Sequence, residues 1–157
     1  MKLKESIIRR ADQTEISYAD FEREILSEAR SDSVMAVGSD SQVFPKYISF
    51  VTCICIHTPG LGGRFFFIKN KNDSKPFSTM RLRIMNEVFL SMEIAGEVNQ
   101  IIPKDIEIHI DIGSDEKKSK TSKFCKEFIG MVNSSGYKCE IKPFSWASHV
   151  ADKFTKS

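Results

Sequence analysis

Apolar residues recur along the chain with two spacings, and segments of the two kinds follow one another. A first apolar run over 34–38 gives way at once to polar residues, the pattern of a buried strand. Two runs rich in β-branched and aromatic residues, 47–57 and 64–69, are separated by turn-forming residues and predict a meander of antiparallel strands. Isoleucines alternate with polar residues over 105–111, which predicts a fourth strand. The short segment 137–142 predicts a fifth.

Apolar residues at spacings of three and four predict four amphipathic helices. Ser17 is a candidate N-cap for the first helix, with Asp20 three residues later. In the longest helix the apolar positions at these spacings are Leu82, Met85, Val88, Phe89, Met92 and Ala95, and Glu87 is expected to lie off the stripe of Leu82, Met85, Phe89 and Met92. The helices are predicted over about 17–30, over some twenty residues after Ser78 or Thr79, from about Phe124 to Gly136, and from Ser145 or Ser148 onward.

This order of elements predicts an α/β fold: a mixed five-stranded sheet with helices on both faces. Right-handed crossovers place predicted strand 4 beside strand 1 and strand 5 outside it. The predicted strand order is therefore 3-2-1-4-5, with strand 2 antiparallel. Residues 1–16 are charged and weakly patterned, so we expect a mobile or loosely packed N-terminal arm, followed by a single domain over 17–157.

Composition narrows the class of protein only moderately. A net charge of +2 neither demands nor excludes a nucleic-acid partner, so binding would depend on a local basic patch. The apolar runs are too short to span a bilayer, and no apolar core follows the charged N-terminus, so we expect a cytoplasmic protein without a membrane partner. The four cysteines lack the paired spacing of a zinc site and are expected to be buried thiols.

Four acidic residues are predicted to meet at one edge of the sheet. Asp40 follows strand 1 and Asp111 ends strand 4, and the carboxyl ends of parallel neighbours lie together. Glu87 lies in the long helix and Asp152 about one turn into the last helix. Oxygen-only ligands suit Mg²⁺ or Mn²⁺, and such a cluster fits phosphodiester hydrolysis with two metal ions.

Each acid also has a structural interpretation when it is taken singly. Asp152 could pair with Lys156 four residues later, and Glu87 with Arg83, each on an exposed helix face. It is the ordered set of four acids, from four separate elements, that favours a metal site.

Other polar and aromatic residues could assist at this edge. His109 and His149 are candidate proton carriers, although a lone histidine is often structural. Trp146 and Tyr47 could stack on bases, or Trp146 could anchor the last helix in the core. The candidate substrate-binding residues are Ser41, Gln42, Lys117, Lys118, Lys120 and Lys153, of which the lysines could instead be simply solvated.

Several segments together resemble the YkuK-type ribonuclease H-like family of bacteria and phages, over about residues 33–156. They are Val37–Gln42, Ile108–Gly113, Gly130–Val132, Lys142–Pro143 and Val150–Lys153. The resemblance implies a ribonuclease H-like fold. By wider analogy with ribonuclease H, it implies that Asp40, Glu87, Asp111 and Asp152 are the acids of the site.

The chain departs from related branches of this fold in two respects. Gln42 stands where proofreading-type exonucleases carry a second acid, which argues against that branch. The segment 113–116 adds acids beside the expected nucleic-acid site and weakens the electrostatic case.

The sequence therefore predicts a Mg²⁺- or Mn²⁺-dependent nuclease that acts on RNA, an RNA–DNA hybrid or structured DNA. In this hypothesis Asp40 bridges two ions, and the other three acids complete the metal shell. The alternative is a non-catalytic module of the same fold that binds a nucleic acid or a protein partner.

Overall fold

The computed structural model describes residues 2–117 and 119–156, and these form one mixed sheet with helices on both faces. The predicted α/β class is confirmed. The strands are β1 (Ile8–Arg10), β2 (Glu15–Ile16), β3 (Val34–Val43), β4 (Tyr47–Thr58), β5 (Gly62–Asp73), β6 (Ile106–His109) and β7 (Lys138–Glu140). The α-helices are α1 (Tyr18–Glu28), α2 (Met80–Ile101), α3 (Cys125–Ser134) and α4 (Trp146–Asp152).

The described strands lie in the order β2-β1-β5-β4-β3-β6-β7. β4 runs antiparallel to both β3 and β5, whereas β6 is parallel to β3 and β7 is parallel to β6. The predicted five-stranded sheet was wrong in strand count and therefore in overall order, since two N-terminal strands extend the sheet beyond β5. The central position of β3 sets the site, because β3 has neighbours on both sides and α4 and α2 against its two faces.

The expectation of a mobile or loosely packed N-terminal arm was wrong. β1 pairs with β5 and β2 pairs with β1, while Leu3 and Ile8 are almost fully buried. The backbone N–H of Leu3 also donates to Glu97 Oε1 at 2.8 Å. Strands of three and two residues are too short to show the alternation by which strands are recognised in a sequence. The division of the chain into domains stays a prediction.

The two faces of the sheet are covered by different helices. α1, α2 and α3 pack on one face, where they bury apolar residues such as Phe21, Ile94 and Phe128. α4 packs on the other face through Ala147 and Ala151, over the small residues of β3 and β4. None of the described helices is long and apolar enough to cross a membrane.

The helix starts agree with the predicted caps, and the predicted apolar face of α2 is confirmed in part: Val88 and Ala95 are buried and Met85 and Met92 pack against the core, but Phe89 and Glu87 are not where they were expected. Ser17 accepts from the Asp20 N–H at 3.1 Å, and Thr79 accepts from the Leu82 N–H at 3.2 Å. Phe89, expected in the apolar stripe, is 44% exposed. The buried face of α2 consists of Ile84, Glu87, Val88, Ser91, Ile94, Ala95 and Val98.

Candidate metal centre

The register between β3 and β6 places Asp40 and Asp111 level with each other. Gly38 pairs with His109, and each acid follows two residues later: Asp40 within β3, and Asp111 just after the end of β6. Residues two apart on a strand share a face, so Asp40 lies on the face that α4 covers, because α4 contacts Gly38. The charge of Asp111 acts on Asp40 from beyond the end of β6. Both acids lie toward the carboxyl edge of this parallel pair, where ligands of open α/β sheets bind.

Asp152, the last residue of α4, brings a second carboxyl group to Asp40. A hydrogen bond with Asp152 is one of the interactions that act on Asp40. Burial, the charge of Glu87, this hydrogen bond and the charge of Asp111 together raise the pKa of Asp40 to about 9. All three of the other acids therefore raise the pKa of Asp40.

Glu87 reaches the same edge from α2, on the opposite face of the sheet. It is only 6% exposed, and Ser41 Oγ donates to its Oε2 at 2.6 Å. Burial raises the pKa of Glu87 to about 8, the hydrogen bond from Ser41 opposes the rise, and Asp111 adds to it. Ser41, a candidate for substrate binding, is therefore a residue that orients Glu87. Arg83, the expected partner of Glu87, donates instead to the Phe77 carbonyl at 3.1 Å.

Asp111 forms an ion pair that the sequence analysis missed. Lys142 Nζ lies 3.2 Å from Asp111 Oδ1, and the lysine side chain is half exposed. Lys142 follows β7, which is parallel to β6, so its position after the strand end was the available signal. A cation beside Asp111 is thus supplied by the chain itself.

The donor set fits a hard divalent cation in its chemistry. All four groups are carboxyls, which suit Mg²⁺ or Mn²⁺, and the repulsion among buried carboxylates is what such a cation relieves. Among the described residues, no three His, Cys, Asp or Glu side chains are grouped closely enough to hold a metal ion. The acids instead take local partners, namely Asp152 for Asp40, Ser41 for Glu87 and Lys142 for Asp111.

His109, a candidate proton carrier, has both ring nitrogens engaged inside the protein. Its Nδ1 accepts from the Ala147 N–H at 3.0 Å, and its Nε2 lies 3.0 Å from Glu107 Oε1. Burial lowers the pKa of His109, and Glu107 opposes that shift. With 1% of its surface exposed, His109 holds the start of α4 against β6. Its role as a proton carrier stays a prediction. His149 lies exposed on α4.

The remaining candidates for substrate binding lie on separate segments of the chain. Gln42 is half-buried in β3 and pairs with Ser49 of β4. Lys117, Lys120 and Lys153 are exposed. Lys118 lies outside the described residues.

The two stacking candidates differ in their surroundings. Tyr47 is stacked on Phe44 at a centroid distance of 4.6 Å. Trp146 is 36% exposed, and its ring meets His109 edge-on at 4.8 Å. Trp146 is therefore a partly exposed, fixed ring rather than a core anchor.

A cavity of about 690 Å³ lies at the opposite edge of the sheet. It is lined by residues such as Val34, Lys104 and Asp105, and none of the four acids faces it. Ligands of open α/β sheets bind at the carboxyl edge of the strands. The acid edge therefore remains the candidate site.

Comparison with known proteins shows the family to which the chain belongs. The family model described as "Ribonuclease H-like" matches residues 17–156. The "Uncharacterized protein YkuK" of Bacillus subtilis (strain 168) is 31% identical, over 84% of this chain and 84% of the relative. No solved structure gives a significant match.

Proposed function

Because the chain belongs to the YkuK-type ribonuclease H-like family, we propose that it is a Mg²⁺- or Mn²⁺-dependent nuclease. The observation that carries the proposal is that three acids from three other elements, Glu87, Asp111 and Asp152, all act on the carboxyl group of Asp40 in β3. The named relative is uncharacterised, so the activity is argued from the site rather than from the relative.

In this proposal all four acids would be ligands of the two ions. Asp40 interacts with each of the other three and would be the bridging ligand, with Glu87, Asp111 and Asp152 completing the shell. Bound Mg²⁺ or Mn²⁺ would supply a nucleophilic water at neutral pH and neutralise charge on the leaving oxygen.

Residues around the acids prepare them for this role. Ser41 fixes one oxygen of Glu87, and the contacts of α4 with Gly38 and His109 hold Asp152 against Asp40. Because the pKa of Asp40 is raised, this group must lose its proton before it can act as a ligand, which couples metal affinity to pH.

The test is cleavage of labelled RNA, an RNA–DNA hybrid and branched DNA, with Mn²⁺, Mg²⁺ or EDTA. We expect cleavage with either metal, none with EDTA, and a loss of at least about 100-fold in Asp40→Asn, because a central ligand is removed. Asp105→Asn, an exposed acid at the opposite edge, is the matched control and should cleave as the wild type does. Cleavage that persists in Asp40→Asn would overturn the proposed site.

One observation favours the non-catalytic alternative. Lys142 already neutralises Asp111, so the acid edge carries a cation of its own. A module of this kind would bind nucleic acid without cleaving it, and binding without cleavage of any of the three substrates would identify it.

A further inference from the structure

A second cavity, of about 600 Å³, lies beside the acid centre. It is bounded by residues 113–115 and 119–121 on one side and by Lys142 and Pro143 on the other. Lys142 contributes to both places, since its Nζ lies 3.2 Å from Asp111 Oδ1. A ligand in this cavity would therefore adjoin the four acids.

The wall of this cavity is held by hydrogen bonds within the segment after β6. Thr121 Oγ1 accepts from the Gly113 N–H at 3.1 Å and lies 2.7 Å from Ser119 Oγ. Cys125 Sγ donates to the Gly113 carbonyl at 3.2 Å. These hydrogen bonds hold the residues that line the cavity in place.

Two lysines give the cavity a cationic character. Lys120 and Lys142 line it, and an ammonium group has three donors, so Lys142 can bind a further acceptor beside Asp111. The opposing charges are Asp115, whose Oδ1 accepts from the Lys117 N–H at 2.9 Å, and Asp111, which pairs with Lys142. The two ammonium groups are the cationic donors that this lining offers to an anionic ligand such as a phosphate.

Two exposed aromatic rings follow this cavity along the chain. Phe144, next to Pro143, is 67% exposed, and Trp146 is 36% exposed. The ring of Trp146 makes an edge contact with His109, and Phe144 is the more exposed of the two rings. Aromatic side chains beside cationic groups are the means by which proteins bind unpaired nucleotides, since bases stack on the rings and phosphates contact the cations.

We propose that this edge binds a single-stranded nucleic acid, with a base stacked on Phe144 and the adjoining phosphate on Lys142 and Lys120. A base inside a duplex is already stacked on both sides, so only an unpaired base can cover Phe144. This inference rests on the proposed function and narrows its substrate class to unpaired strands.

The test is binding of the full chain in EDTA to a labelled oligonucleotide of about twelve nucleotides, followed by fluorescence anisotropy. RNA and DNA of one sequence are compared with the corresponding duplexes. We expect the single strands to bind more tightly. Phe144→Leu should weaken their binding roughly 5- to 100-fold, whereas Phe144→Tyr, which keeps a ring, should bind as the wild type does.

Two further variants separate this surface from the rest of the molecule. Phe89→Leu alters an exposed ring on α2, and Lys104→Ala alters the larger cavity at the opposite edge; both should bind as the wild type does. Lys142→Ala should weaken binding and lower the salt dependence by about one counterion. Melting temperatures equal to that of the wild type would establish that Phe144→Leu is folded.

Equal affinity for single strand and duplex, no detectable binding, or unchanged binding by Phe144→Leu would each overturn the inference. The proposed function fails separately. If the single strand binds through Phe144 but no substrate is cleaved with Mn²⁺, the nuclease proposal fails and the binding surface stands. If cleavage depends on Asp40 but not on Phe144, the nuclease proposal stands and the binding surface fails.

Discussion

At the scale of single residues, the acid edge is electrostatically unfavourable to the fold. Asp40 and Glu87 lie in surroundings that raise their pKa to about 9 and about 8, chiefly through burial. Ionising either group in the folded protein places a negative charge beside other acids. Such an arrangement destabilises the protein unless the charges are neutralised, and it persists at functional sites.

Replacing Asp40 by asparagine should therefore stabilise the metal-free protein. Between pH 4 and pH 9 the unfolded chain ionises Asp40 while the folded chain keeps it protonated, so stability falls as pH rises through this range. Asparagine carries no such charge. In EDTA at pH 8 we expect Asp40→Asn to melt above the wild type by roughly 2 to 4 °C or more, which corresponds to about 1 kcal/mol in the free energy of unfolding. The difference should be smaller at pH 5.

The measurement is thermal unfolding by circular dichroism at the two pH values. Asp105→Asn removes an exposed carboxyl at the opposite edge and should change the melting temperature little. A lower melting temperature for Asp40→Asn at pH 8 would show that Asp40 is held by favourable contacts instead.

At the scale of elements, the sequence specifies the long strands better than the short ones, since β1 and β2 have only three and two residues and show no alternation. The placement of Asp40 and Asp111 near the carboxyl edge was predictable because each follows an apolar run, and β3 and β6 are parallel neighbours. The burial of Glu87 was not predictable, because apolar residues lie all round α2 and this acid is part of its inner face. The ion pair between Lys142 and Asp111 depends on how β6 and β7 end, which no local pattern shows.

The position of α4 depends on one residue without a side chain. A Cβ on Gly38 would lie 2.4 Å from the Ser148 backbone nitrogen, so α4 approaches β3 only because glycine is there. Gly38→Ala must move α4 and with it Asp152. We expect a loss of about 2 kcal/mol or more in the free energy of unfolding, measured in urea, since overpacking of a closed interface has this size.

The matched change is Gly130→Ala in α3, where a Cβ would meet no atom within 4 Å. Alanine favours helix over glycine by up to about 1 kcal/mol, so this variant should be as stable as the wild type or more so. Wild-type stability in Gly38→Ala would mean that α4 is free to shift on the sheet.

At the scale of the whole molecule, the two edges of the sheet have different characters. The carboxyl edge carries the four acids, with Lys142 and the exposed Phe144 beside them. The opposite edge holds the larger cavity and none of these acids. The two edges therefore differ in their acids, since the buried carboxyl groups with raised pKa values lie at the carboxyl edge.

Adding metal should reverse the order of stability between the wild type and Asp40→Asn. A ligand that binds only the folded state stabilises it by about 2.7 kcal/mol at one hundred times its dissociation constant. Wild type should therefore melt several degrees higher in saturating Mn²⁺ than in EDTA, and so should Asp105→Asn. Asp40→Asn lacks the central carboxylate and should show little shift, so it is the more stable protein in EDTA and the less stable one in Mn²⁺. Equal rises in melting temperature in all three proteins would show that the ion binds away from the acid edge, because the loss of Asp40 must weaken a site that includes it.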